Sequence, residues 1–190
     1  MPDNCFLQAL DQRRSVPSRL LEAPAPDDAT VLRMLQSAVR VPDHGKLVPF
    51  RFLRLRGDAR HNLGEFLARR SRERNPQVAE AAVEKDRLRF SHAPLIITVI
   101  ARLQEDKVPP QEQLLTAGCV CFALLQAAQG FGFGAQWLTA WMAYDAEVAR
   151  YLGLTEDERI VGFIHIGTPK LQAPERDRPD PAVLLQDWQA

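Results

Sequence analysis

Two segments, 95–100 (Leu95-Ile96-Ile97-Thr98-Val99-Ile100) and 160–166, are apolar on both of the faces that a β-strand presents. A strand with one solvated face alternates apolar and polar side chains. One that does not alternate belongs inside a sheet covered on both sides. Helical periodicity identifies the cover. Residues 111–129 predict a core helix between these strands. Residues 3–14 predict a first helix, with Asp3 as its N-cap and Phe6, Leu7 and Leu10 on one face. A second helix starts at Asp27 or Asp28, with an apolar stripe of Val31, Leu32, Leu35, Ala38 and Val39. Pro42 stops it at Val41, which puts Arg40 in its last turn, beside the negative end of the helix dipole. A strand over 50–55, whose alternation slips between Phe52 and Leu53, precedes charged helices over 59–71 and 76–90. A strand over 135–141 and a short helix over 145–152, closed by Gly153, complete the pattern. The sum is a layered sheet with helices on both faces, an α+β or α/β domain.

A length of 190 residues fits one domain. The 24 basic side chains are balanced by 24 acidic ones, so there is no basic footprint of a nucleic-acid binder. No secretory pattern opens the chain, and the longest apolar stretch, 114–128, is shorter than the roughly 20 residues that span a bilayer. Three cysteines without a Cys-x-x-Cys pair are expected to be reduced, small core residues in the cytoplasm. No membrane or nucleic-acid partner is expected.

The motifs exclude more than they assign. Gly130-Phe131-Gly132-Phe133-Gly134 closes a helix and leads toward a strand, the reverse of a dinucleotide-binding glycine loop. It reads as a helix stop or as backbone that comes close to a flat ligand. The four histidines have no metal-ligand spacing, so no metal is expected, and His165 reads as a satisfied core histidine. No Gly-x-Ser-x-Gly elbow is present. Arg13-Arg14-Ser15 has two readings: a phosphate site built from charge-assisted hydrogen bonds, or arginines that complement a helix end. Arg40 and His44 have the same pair of readings. The Pro-rich arm over 170–190 ends in Val183, Leu184, Leu185 and Trp188, which need a surface on the same subunit or on a partner.

Five pieces taken in order resemble the nitroreductase family in its short, single-domain bacterial branch. They are Arg13-Arg14-Ser15 with Ser18-Arg19; Arg40-Val41-Pro42-Asp43-His44 leading to Pro49-Phe50-Arg51-Phe52; and Ala93-Pro94 before the first apolar strand, followed by Lys107-Val108-Pro109 and Glu112-Gln113. The last two are Gly130-Phe131-Gly132 followed by Trp137, and Ile160-Val161-Gly162-Phe163 ending in Gly167-Thr168-Pro169. The resemblance covers about residues 5–185.

It implies an α+β fold of three layers, with a mainly antiparallel central sheet, FMN at the interface of a homodimer, and a C-terminal arm exchanged between subunits. By that likeness Arg13 and Ser15 hold the FMN phosphate and ribityl chain, with Arg14 adding backbone or charge. Arg40 and His44 reach the same flavin from the other subunit. Trp137, Leu138 and Thr139 line the isoalloxazine, with Gly134 and Ala135 near it. Ala128, Gln129, Gly130 and Phe131 lie where the nicotinamide nucleotide binds. The implied activity is ping-pong transfer of hydride from NADH or NADPH, through flavin N5, to an electron-poor acceptor such as a nitroaromatic or quinone. No protein side chain is implied as a catalytic acid or base, because the flavin carries the chemistry. A flavin-binding sensor or sequestering module without turnover is the alternative, and a structural homodimer that has lost its cofactor is the third reading. Two departures from the branch stand out: Leu47-Val48 before Pro49-Phe50, and Leu138-Thr139 after Trp137, both where polar residues are usual.

Overall fold

The computed structural model describes residues 5–189. Its elements are α1 (Cys5–Asp11), β1 (Leu21–Glu22), α2 (Asp28–Ala38), β2 (Phe50–Arg56), α3 (Asp58–Arg74), α4 (Glu80–Leu88), β3 (Leu95–Arg102), α5 (Pro110–Gly130), β4 (Gly134–Leu138), α6 (Ala146–Tyr151) and β5 (Glu158–Pro169). The strand order is β2-β3-β5, with β4 and the short β1 both pairing along the other edge of β5. Every pairing is antiparallel, so the fold is α+β rather than α/β.

β3 lies between β2 and β5, and its parity explains why it does not alternate. Leu95, Ile97, Val99 and Ala101 face a core closed by α2 and α5, whereas Ile96 faces a second core closed by α3, Phe90 and α6. In β5, Ile164 and Ile166 join the first core while Ile160 and Phe163 join the second. The slip of alternation in β2 is a change of face, with Phe50 and Phe52 on the first core and Leu53 and Leu55 on the second, and it needs no bulge. The register of β2 with β3 is regular from Phe50↔Ala101 to Arg56↔Leu95. The irregularity lies one strand further in, where Val99 faces Gly162 and Ile100 faces Ile160, leaving Val161 as the extra residue of a bulge.

α2 begins as the sequence requires, with the Asp27 carboxylate accepting from the Thr30 N–H at 2.7 Å. It ends at Ala38, so Arg40 lies beyond the cap and outside the last turn. The buried stripe is Val31, Met34 and Ala38, whereas Leu32 and Val39 are exposed. α1 is shorter than expected and stops at Asp11, before the arginines; the proposed N-cap Asp3 lies outside the described residues. Phe6 and Leu7 of α1 are exposed. α5 runs 21 residues and matches a membrane span by length and hydropathy alone. Here it packs against α2, β3, β4 and β5 as the core helix. Of the cysteines only Cys121 is core, its thiol pushed up to about 12 by burial; Cys5 and Cys119 are exposed.

His165 is completely buried beside Phe90, yet neither ring nitrogen has a hydrogen-bond partner among the described residues. It is a core histidine but not a satisfied one. Burial, followed by the nearby Arg89, His92 and Arg60, pushes it down to about 3, so it is neutral in the fold.

Candidate cofactor site

The segment after α1 is laid along β4 by two backbone donors. The Val16 N–H bonds Ala135 O at 3.0 Å, and the Ser18 N–H bonds the Gln136 side-chain oxygen at 2.6 Å. Of the two readings of Arg13-Arg14-Ser15, the helix-end one is realised by Arg14. Arg14 caps α1, donating to Asp11 O at 2.6 Å and Arg13 O at 2.9 Å. Arg13 donates to the Ser15 hydroxyl at 3.3 Å and faces the C-terminal arm.

That arm folds back on its own chain for its first half. The Lys170 N–H bonds Leu20 O at 2.9 Å, and Ala173 packs on the small cluster of Val16, Leu21 and Ala93. This brings Arg176 and Arg178 to Arg13, Arg14 and Ser15 around a cavity of about 80 Å³. Glu175 contacts Arg14 and lies 3.2 Å from Arg178. Four guanidiniums against this one carboxylate leave three positive charges at the cavity. The Arg13 guanidinium is held below its usual range by burial first, then by Arg178, Arg14 and Arg176. An arrangement of this kind is set for an anion of phosphate size and charge. Sequence reasoning missed Arg176 and Arg178. Their run of charges between prolines is visible, but only the fold shows that it returns to Arg13.

Arg14 also borders a neighbouring cavity of about 310 Å³, lined by Gln129, Phe133, Gly134, Ala135 and the arm residues Leu171 to Ala173. Of the expected nucleotide-binding residues, Ala128 is fully buried and Gln129 is tied to Ala9 O at 3.0 Å, while Gly130 and Phe131 are exposed. The glycines here act as a helix stop: α5 ends at Gly130 and Gly132 takes φ 80°.

Trp137 lies on the sheet. Its indole N–H donates to Val161 O at 3.1 Å, and its ring covers Gly162 so closely that any Cβ there would overlap it. Leu138 pairs with Phe163, and Leu138 and Thr139 are half-buried. The next residue, Ala140, has φ 53° and ψ −169°, a conformation that glycine alone adopts freely.

Arg40 and His44 do not line the guanidinium cavity of their own chain. Arg40 is exposed, and His44 Nδ1 meets the Glu112 carboxylate at 2.7 Å. The loop around His44 is wound on Asp43, which accepts from the N–H groups of Leu47 at 3.2 Å and Val48 at 2.9 Å.

An antiparallel sheet covered by helices on both faces, with a guanidinium-lined cavity between the N-terminal segment and the C-terminal arm, places the molecule in a known architecture. A crystal structure of a nitroreductase-like family protein from Bacillus cereus superposes with a TM-score of 0.83 at 20% identity, covering 100% of this chain and 99% of that one. A protein from Desulfovibrio desulfuricans described as a "putative nitroreductase", solved in complex with FMN, superposes with a TM-score of 0.74 at 25% identity, over 99% of each chain. In sequence, residues 10–168 match the model of the Nitroreductase family, and the chain belongs to that family. It is 36% identical over 181 residues to the Escherichia coli protein named "Putative NAD(P)H nitroreductase YdjA", covering 94% of this chain and 97% of that protein.

Proposed function

We propose that residues 1–190 form one domain, with 170–190 as its arm, and that the protein is a cytoplasmic FMN-dependent oxidoreductase. It takes hydride from NADH or NADPH and passes it, in a ping-pong cycle, to a small electron-poor acceptor such as a nitroaromatic or quinone. The observation that carries this reading is the cavity of Arg13, Ser15, Arg176 and Arg178, which fits one phosphate group and has more positive charge than its own chain neutralises. When bound, FMN supplies the redox chemistry: an isoalloxazine ring that accepts and releases a hydride. This chain's residues bind and orient it. Arg13, Arg14, Arg176 and Arg178 hold the phosphate, with Ser15 bonding to the phosphate or ribityl chain. Trp137, Leu138 and Thr139 border the ring, and the glycine-like backbone at Ala140 turns the chain away beside it. Gly130 and Phe131 are accessible to the nicotinamide nucleotide, with Ala128 and Gln129 supporting them from beneath.

The reading is of a homodimer with FMN at the interface. α5 presents Leu115, Cys119 and Phe122 at spacings of four and three residues, one exposed apolar stripe that a second copy would cover. Leu32 and Val39 on α2, and Val183, Leu184, Leu185 and Trp188 on the arm, are exposed in the same way. Arg40 and His44 then reach the flavin of the other subunit, and residues beyond 178 cross to it as an exchanged element.

The test is the visible spectrum of the purified protein, followed anaerobically as NADPH and then NADH is added. Flavin bands that bleach with either nucleotide are expected. Bands that persist with both would make the protein a flavin-binding module, and a protein that refuses added FMN would overturn the assignment.

A further inference from the structure

The loop between α2 and β2 is held in a costly shape. Gly45, Lys46 and Val48 have φ of 72°, 53° and 49°, and for β-branched Val48 this is a rare conformation. Such strain persists only where neighbours over-determine the backbone, and it gathers at functional sites. Asp43 holds the Leu47 and Val48 N–H groups from within the loop, and the start of α5 and the segment before it hold the loop from outside. The Thr116 hydroxyl donates to Pro42 O at 3.2 Å, and the Gln104 amide donates to Leu47 O at 2.9 Å. Buried Gln113 in turn locks that segment, donating to Gln104 O and Val108 O at 2.9 Å each and accepting from the Gln104 N–H at 2.9 Å. Glu112, one residue before Gln113, meets His44 Nδ1 at 2.7 Å. Both partners are well exposed, and an ion pair of that kind adds little to folding stability. Its effect is therefore on the imidazole itself. A carboxylate at Nδ1 keeps the proton on that nitrogen, fixes the ring plane and leaves Nε2 as the outward atom.

We propose that Glu112 is a positioning residue for His44, holding its imidazole by Nδ1 on a pre-strained loop so that Nε2 is directed at the flavin bound by a second copy of the chain. This rests on the reading that His44 reaches the flavin across the interface. Glu112 itself touches no cofactor; it acts through the histidine.

The experiment joins nitrogen-15 NMR of the His44 side chain with FMN titrations of the full-length protein and its variants. In the parent protein Nδ1 is expected to carry the proton whether or not FMN is present. Glu112→Ala should release that preference and weaken FMN binding by roughly threefold to tenfold, the ordinary size of coupling within one hydrogen-bonded pair. Glu112→Gln, which keeps an acceptor oxygen, should retain the tautomer and most of the affinity. In a His44→Leu background, Glu112→Ala should have no further effect on FMN. If His44→Leu weakens FMN while Glu112→Ala changes neither tautomer nor affinity, the positioning role is overturned and the interface reading stands. If Glu112→Ala changes the tautomer but neither variant changes FMN affinity, His44 does not meet the flavin, and the proposal falls with that reading.

Discussion

Arg13 and His165 are two buried or half-buried basic side chains with opposite solutions to the cost of burial. Arg13 stays charged among Arg14, Arg176 and Arg178, which leaves an excess of positive charge for the proposed FMN phosphate to offset. Hydrogen bonds to charged groups contribute about 1.5–3 kcal/mol each. Arg13→Ala should therefore weaken FMN binding roughly tenfold to hundredfold while leaving riboflavin, which lacks the phosphate, nearly unaffected; fluorescence titration of both flavins checks this. Equal losses for the two ligands would place Arg13 away from the phosphate. His165 instead gives up its charge. Its ordinary value of 6.5 falls to about 3 in the fold, so below pH 6.5 the unfolded chain takes up a proton that the native state refuses. Stability from this group is constant above that pH and declines as pH drops toward 3, by about 1.4 kcal/mol per pH unit. His165→Leu, among the apolar neighbours Ile96, Phe90 and Phe163, should flatten the slope between pH 6.5 and 5, before most carboxylates titrate. Denaturant unfolding at several pH values measures it.

At the level of elements, close approach decides what the helices and strands can carry. α3 and α4 cross where Gly64 meets the carbonyl oxygen of Arg87, and a Cβ on Gly64 would overlap that oxygen. Backbone cannot swing aside as a side chain can. Gly64→Ala should cost about 1–3 kcal/mol, the usual penalty for overpacking, read as a lower midpoint in thermal or denaturant unfolding with flavin binding preserved. An unchanged midpoint would mean that the two helices separate freely. β5 is anchored at its start in another way. Arg51 reaches from β2 to make a two-pronged contact with nearly buried Glu158, at 2.6 and 2.7 Å, and holds its carboxyl below the usual range. The same strand then offers Gly162 as the flat seat for Trp137, so one strand serves both the core and the proposed flavin wall.

At the level of the whole molecule, the chain leaves large apolar side chains exposed on α2, α5 and the arm. A two-fold partner covers each residue twice. In the proposed dimer, replacing Phe122 by Glu should therefore weaken association by about 3 kcal/mol or more, roughly hundredfold in its dissociation constant. Flavin should leave together with the partner, because the proposed site draws on both copies. Analytical ultracentrifugation with detection at flavin wavelengths follows both events, and a monomer that keeps FMN would contradict the shared site.

Much of this was written in local pattern. The non-alternating runs in β3 and β5 determined a sheet buried on both faces, and Asp27 and Gly153 marked where α2 begins and α6 ends, because caps act within a few residues; Pro42 set only an outer limit, since α2 already stops at Ala38. The order of short motifs was enough to point to the family. Pattern could not say that the sheet is antiparallel throughout, that Val161 bulges, or that His165 lacks a partner among the described residues, since these depend on which strands meet. Nor could it tell that Leu32 and Val39 lie outside the buried stripe, because an apolar side chain has the same periodicity whether its own chain or another covers it. The guanidinium-lined cavity belongs wholly to the tertiary structure. Arg13 and Arg178 are far apart in sequence, and only the N-terminal segment laid along β4 and the return of the arm past β1 bring their charges together.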